Sequence, residues 1–186
     1  MRVIAGSARR LLLKTLPGND TRPTTDKIKE TLFNMINFDL PGSTFLDLFA
    51  GSGAIGIEAL SRGAVKCVFV DNNSKAAAVI RENIEHTGFI EESSVITSEA
   101  VSALRRLETS GMIFDYVFLD PPYNCALEDS VLRYLRHSSL ISDSSIIIVE
   151  MSSETDSEHL TELGFVIDKI KSYKSNKHVF LRRETS

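Results

Sequence analysis

One stretch constrains the fold more than any other: Thr44 to Gly56, reading Thr-Phe-Leu-Asp-Leu-Phe-Ala-Gly-Ser-Gly-Ala-Ile-Gly. Phe45, Leu46, Leu48 and Phe49 make an apolar run suited to a buried strand. The run ends in the glycine turn Gly51-Ser52-Gly53, and Ala54 to Leu60 continue as a helix-forming sequence. Strand, glycine turn and helix are the opening unit of a nucleotide-binding α/β sheet, and Gly51, Gly53 and Gly56 satisfy the spacing G-x-G-x-x-G. That spacing alone also suits a dinucleotide. Asp47, four residues before Gly51, argues for a different ligand. A carboxylate at the carboxyl end of the strand repels a pyrophosphate and attracts a ligand carrying an ammonium and a sulfonium, such as S-adenosylmethionine.

From Thr44 onward strands and helices alternate. Strands are expected at 44–49, 66–71, 94–97, 113–119 and 145–150. Helices are expected at 54–62, 74–86, 99–107, 127–137 and near 157–163. The end differs: 165–171 and 177–181 are separated by Tyr173-Lys174-Ser175-Asn176, with no room for a crossover helix, so they must pair antiparallel. The expected fold is therefore α/β and Rossmann-like: a mostly parallel seven-stranded sheet closed by an antiparallel C-terminal hairpin, with helices on both faces. Before it, 2–5 and 10–16 read as a small N-terminal hairpin. Pro17-Gly18-Asn19-Asp20 reads as a turn. A helix then starts at Asp26, capped by Thr24 or Thr25, with Ile28, Leu32, Met35 and Ile36 on its buried face. Two segments result: an extension over 1–40 and the α/β domain over 41–186.

Composition narrows the function. With 186 residues, 42% of them apolar, the chain can bury a sizeable core, and no apolar run reaches the ~20 residues of a membrane span. Two scattered cysteines, Cys67 and Cys125, and four histidines without ligand spacing point to a reducing cytoplasmic setting with no metal. The net charge of −4 is unevenly spread: +3 over residues 1–40, +4 over 166–186 and −11 between them. Basic ends around an acidic middle suit a protein that grips a polyanion at its edges.

In such sheets, ligands meet the carboxyl ends of strands, so strand-terminating residues are the informative ones. Asp71 ends the second strand 20 positions after Gly51, where its carboxylate can accept from two ribose hydroxyls, with Asn72 assisting. Glu99, followed by Ala100, stands after the third strand and can accept from an adenine amino group. After the fourth comes Asp120-Pro121-Pro122-Tyr123. Two prolines stiffen this loop and present the Asp120 carboxylate and the Pro121 carbonyl as fixed acceptors beside the Tyr123 ring. Two acceptors and an aromatic plate suit a planar base with an exocyclic NH2.

Asp120-Pro121-Pro122-Tyr123 resembles the Asp/Asn-Pro-Pro-aromatic motif of the S-adenosylmethionine-dependent amino-methyltransferases. Thr21 to Lys27 with Glu30 to Asn34, and Phe49 to Ala54 with Glu58 to Gly63, narrow the resemblance. They are similar to the bacterial 16S ribosomal RNA guanine-N2 methyltransferases, which modify the guanine conventionally numbered 966, over nearly the whole chain. The resemblance implies a class I methyltransferase fold with S-adenosylmethionine held by Asp47, Phe49, Ala50, Gly51, Ser52, Gly53, Asp71, Asn72, Glu99 and Ala100. It implies Asp120 to Tyr123 around the target base. Arg9, Arg10, Arg22, Thr24 and Thr25 of the basic extension are the expected RNA contacts. The expected partner is 16S ribosomal RNA in a small-subunit assembly particle, and the expected state is a cytoplasmic monomer. The chain departs from the family at Arg10-Leu11-Leu12, where a second glycine is usual, at Glu99, where Asp or Asn is commoner, and at Lys174-Ser175-Asn176, where a glycine is frequent. Rival readings are an adenine-N6 DNA methyltransferase, a non-catalytic RNA-binding assembly factor and a dinucleotide-dependent oxidoreductase.

Overall fold

The computed structural model describes residues 1–16, 26–122 and 127–185. The expected turn at 17–20, Arg22, the capping Thr24 and Thr25, and Tyr123 lie outside the described residues. The chain falls into two compact units, Met1–Glu99 and Ala100–Ser186. The fold is the expected one, a mostly parallel seven-stranded sheet with an antiparallel C-terminal pair.

The first unit contains α1(Asp26–Ile36), β1(Thr44–Leu48), α2(Ala54–Ser61), β2(Lys66–Asp71), α3(Ser74–Thr87) and β3(Ser93–Thr97). Its strands run parallel in the order β3-β2-β1, with Asp47 opposite Phe69 and Asp71 opposite Thr97. Four of five residues in β1 are buried, which is why it reads as a continuous apolar run and not as alternation. All eight residues of α2 are buried. A helix with no wet face packs closely, and Gly56 is where it does so. A Cβ there would stand 2.3 Å from the Phe69 ring and 2.6 Å from the Cys67 sulfur. The third glycine of the G-x-G-x-x-G spacing thus serves helix–sheet contact. In α3, Asn73 caps the first turn by accepting from the Lys75 N–H at 2.9 Å, and Gly88 ends the helix at a φ of 80°.

The buried face of α1 is not the expected one. Lys29, Leu32, Phe33 and Ile36 are buried, while Ile28 and Met35 are half-buried. The stripe is rotated because Lys29 is drawn inward to the Glu58 carboxylate at 3.1 Å, both side chains fully buried. Glu58 sits in the middle of the all-buried α2 with donors converging on both carboxylate oxygens. It accepts from the Ile4 and Ala5 N–H groups at 2.8 and 3.0 Å and from Arg62 Nε at 2.8 Å. Lys29 also donates to the Arg2 carbonyl at 2.6 Å. These bonds seat the N-terminal hairpin on the unit. The hairpin itself is one antiparallel bridge, Arg2 to Leu12, flanked by bonds between Val3 and Leu11 and between Val3 and Arg10.

The second unit contains α4(Ala100–Glu108), β4(Tyr116–Leu119), α5(Leu127–Arg136), β5(Ile146–Ser152), α6(His159–Glu162), β6(Phe165–Ser172) and β7(Asn176–Arg183). Its strand order is β4-β5-β7-β6, with β4 and β5 parallel and the last two antiparallel. The fourth strand is shorter than expected. Phe114 donates to the Leu140 carbonyl and accepts from the Ser145 hydroxyl, both in the loop before β5, so the ladder begins only where Ile146 donates to Asp115 and Tyr116 pairs with Ile146. Among the described residues no helix is long and apolar enough to cross a membrane.

Two substitutions test this packing by urea denaturation. Gly56→Ala forces a methyl against Phe69 and Cys67 and should cost about 1–3 kcal/mol, the range for overpacking. Glu58→Gln removes the counter-charge of a buried lysine, a change worth about 3–5 kcal/mol. Burial already lowers the Lys29 pKa, so release of its proton caps the loss and the Glu58→Gln penalty should grow as pH falls.

Candidate active site

Of the predicted cofactor residues, the first unit brings Asp47, the turn from Phe49 to Gly53 and Asp71 together at the carboxyl ends of its strands. Asp71 is the junction. Its Oδ2 accepts from the Gly51 N–H at 2.8 Å, its Oδ1 from the Asn73 N–H at 2.9 Å, and its carbonyl from the Ser98 N–H at 3.0 Å. One residue thereby ties the turn after β1 and the bend after β3 to the end of β2. A carboxylate has about four lone-pair sites, so two bonds to backbone leave acceptor capacity on a half-buried group. Asn72 is exposed beside it, and the cap of α3 is Asn73.

The turn itself is strained and open. Phe49 holds a φ of 63°, rare for an aromatic residue and costing about 1–3 kcal/mol. Ala50 donates to the Val70 carbonyl and accepts from the Gly53 N–H. Gly51 has a φ of 58°, and a Cβ there would meet nothing within 4 Å. The backbone of the turn thus borders free space that a ligand can approach. Gly53, at a φ of 76°, precedes α2 without a side-chain cap. Asp47 supplies the missing acceptor: its Oδ2 takes the Gly56 N–H at 2.9 Å.

Asp47 is 2% exposed. Burial raises its pKa, to about 7; the Gly56 N–H opposes the shift and the Asp71 charge adds to it. A carboxylate whose charged form burial disfavours is a group a cationic ligand would complete. The donors and acceptors of the turn fit S-adenosylmethionine on that account. The open face at Gly51 and the acceptor capacity of Asp71 agree. Glu99 is exposed and lies just before α4, which Ala100 opens, each in its own unit.

In the second unit β4 delivers Asp120 directly after Leu119. Asp120 is half-buried, Pro121 buried and Pro122 exposed. The β4–β5 ladder ends with Leu119 opposite Val149, and Asp120 and Glu150 each follow that last pair in sequence. Glu150 in turn faces His178 across β5–β7. Here a polar network lies in apolar surroundings. The Glu150 carboxylate pairs with His178 Nε2 at 3.0 Å and accepts from Asn176 Nδ2 at 2.7 Å. His178 Nδ1 lies 3.3 Å from the Tyr173 hydroxyl, and burial, then the Glu150 charge, push that hydroxyl up to about 12. With Nε2 donating to the carboxylate, Nδ1 accepts from Tyr173. Sequence reading passed over this network, although a glutamate ending the run Ile-Ile-Ile-Val was the available signal.

Arg9 and Arg10 stand exposed in the turn of the N-terminal hairpin, Arg10 at a φ of 75°. A second residue missed from sequence is Asn83 of α3, 1% exposed. Its Oδ1 accepts from the Lys14 N–H at 2.8 Å, and its Nδ2 donates to the Lys14 carbonyl at 3.0 Å and the Ser52 carbonyl at 2.9 Å. An asparagine in the interior of a helix, where propensity disfavours it, was the signal.

Residues 1–181 match the family model described as conserved hypothetical protein 95. The chain is 34% identical over 173 residues to ribosomal RNA small subunit methyltransferase D of Haemophilus influenzae, covering 92% of this chain and 88% of that one. It is 33% identical over 156 residues to the protein of the same name from Escherichia coli K12, covering 83% and 76%. Its fold superposes on the solved structure of yhhF from Escherichia coli with a TM-score of 0.84 and 30% identity, covering 100% of this chain and 99% of that one. The chain belongs to the conserved hypothetical protein 95 family, alongside the small-subunit ribosomal RNA methyltransferases D.

Proposed function

We propose that this protein transfers a methyl group from S-adenosylmethionine to the exocyclic N2 of one guanine in 16S ribosomal RNA. Asp47, Phe49, Ala50, Gly51, Ser52, Gly53, Asp71, Asn72, Glu99 and Ala100 hold the methyl donor, and Asp120 to Tyr123 hold the guanine. Residues 1–40 form the RNA-contact extension, through Arg9, Arg10, Arg22, Thr24 and Thr25, and 41–186 the methyltransferase domain. The protein works as a cytoplasmic monomer on a small-subunit assembly particle. The observation that carries the reading is the buried Asp47 carboxylate beside an open glycine turn, with its charge disfavoured until a cation arrives. A pyrophosphate would make that burial worse. The relatives named as ribosomal RNA methyltransferases supply the substrate class.

Bound S-adenosylmethionine would supply an electrophilic methyl group on a sulfonium, its S–CH3 bond breaking to leave the neutral thioether S-adenosylhomocysteine. The task left to the chain is to make a poor nucleophile better. The N2 lone pair of guanine is delocalised into the ring. The Asp120 carboxylate and the Pro121 carbonyl, accepting its two hydrogens, localise that lone pair and aim it, while Tyr123 stacks on the base. Positioning and electrostatics of this kind supply most of the rate, and the proton leaves N2 to Asp120 or to water.

The Asp47 shift sets a pH dependence. Its folded pKa is about 7 against an ordinary 3.8, so the folded state binds the proton more tightly. The associated stability is present below the ordinary value and is lost as pH rises through about 7. A cationic ligand favours the carboxylate, so calorimetry should show affinity for S-adenosylmethionine rising up to about pH 7, then levelling, with proton release below it. Asp47→Asn should bind more weakly with a flat profile; an unchanged profile removes Asp47 from the site. Asp120→Ala should lower methyl transfer to 16S ribosomal RNA by at least about 100-fold with cofactor affinity nearly unchanged. Nucleoside mass spectrometry should find the wild-type product as N2-methylguanosine. Full turnover by the variant, or methyl transfer to adenine in DNA instead, overturns the assignment.

A further inference from the structure

We propose that Asn83 is a positioning residue that couples the N-terminal hairpin to the glycine turn, so that RNA held by the one and cofactor held by the other strengthen each other's binding. The inference rests on the reading of those two sites given above. It starts from one amide. Lys14 presents an N–H and a carbonyl, and Ser52 presents a carbonyl; only Oδ1 facing the first and Nδ2 facing the other two satisfies all three. Both hydrogens of Nδ2 are therefore used, one toward each segment, in a side chain that is 1% exposed. A shift of Lys14 costs the amide its bonds and must be passed on to Ser52.

The hairpin cannot absorb such a shift at its other end. Ile4 and Ala5 donate to Glu58, Ser7 to the Ser61 carbonyl and Ala8 to the Ser61 hydroxyl, all on α2. A Cβ at Gly6 would lie 1.7 Å from the Ser61 carbonyl oxygen, so the contact leaves no slack. The turn is pinned in the same manner. Ser52 stands between Gly51, whose N–H is on Asp71, and Gly53, whose N–H is on the Ala50 carbonyl. With Phe49 held at positive φ, this turn persists only if its surroundings over-determine it, and the Asn83 bond is one of the constraints. Exposed Arg9 and Arg10 give the hairpin its hold on phosphate. Coupling of two binding events is reciprocal, and typical factors are about 5–150.

The test measures the dissociation constant of S-adenosylmethionine on the full-length protein by calorimetry, alone and with saturating 16S ribosomal RNA or small-subunit particle, whichever the wild type methylates. Wild type should bind cofactor at least about 5-fold more tightly with RNA present. Asn83→Asp, which keeps the shape and loses both donors, and Asn83→Ala should bring that factor close to 1. Lys14→Ala, which loses an exposed ion pair with Glu82 and keeps the backbone bonds, should retain it. Variants that fold yet keep the wild-type factor, or a wild-type factor of 1, overturn the proposal. Should neither Asn83 variant fold, hydrogen exchange on the wild type decides: cofactor should slow exchange of the Lys14 amide, and an unaltered rate overturns the proposal. A wild type that binds no S-adenosylmethionine overturns the proposed function as well. One that binds and methylates without coupling overturns this inference alone.

Discussion

The first unit depends on a carboxylate buried away from solvent. Glu58 lies in a helix buried on every side, and it is tolerable there because two backbone N–H groups, a lysine and an arginine all converge on it. A buried ion pair is weak evidence for stability, since desolvation takes back much of the Coulomb gain. What this one supplies is location. Two of the four donors are main-chain groups of the N-terminal hairpin, and the lysine comes from α1 and also holds the Arg2 carbonyl. A basic extension is thus seated by hydrogen bonds to charge, each worth more than a neutral one, together with its buried Val3, Ala8 and Leu13. Arg62 completes the arrangement: it bonds Glu58 and lies 5.2 Å over the Phe33 ring.

A second pair of carboxylates works in the opposite sense. Asp47 and Asp71 flank the same glycine turn, and the Asp71 charge raises the cost of charging Asp47. Asp71 is half-buried and bonded by two N–H groups; Asp47 is buried and its pKa is raised to about 7 by burial first and the Asp71 charge last. The turn also carries the backbone strain of Phe49. Strain and unfavourable charge at one place are features that proteins keep at binding sites and offset elsewhere. The close packing of α2 at Gly56 lies within the same strand–turn–helix unit. In the second unit a buried polar chain runs from Tyr173 through His178 to Glu150.

The alternation of apolar runs and helical patterns, together with the short final connection, was enough to determine a mostly parallel sheet with an antiparallel end, because strand and helix periods and crossover lengths are local properties. Strand-end residues were legible for the same reason: Asp71 and Asp120 stand where an apolar run stops. The family was legible in Asp120-Pro121-Pro122-Tyr123 and Phe49 to Ala54. Tertiary structure alone decided which groups satisfy one another. The face of α1 was misread because periodicity treats Lys29 as polar and cannot anticipate a carboxylate 29 positions away. Gly56 looked like part of a ligand motif, and only the position of Phe69 reveals it as a packing glycine. Asn83 and the structural role of Glu58 went unread because their meaning lies in partners distant in sequence, and the raised pKa of Asp47 because burial is a property of the folded chain.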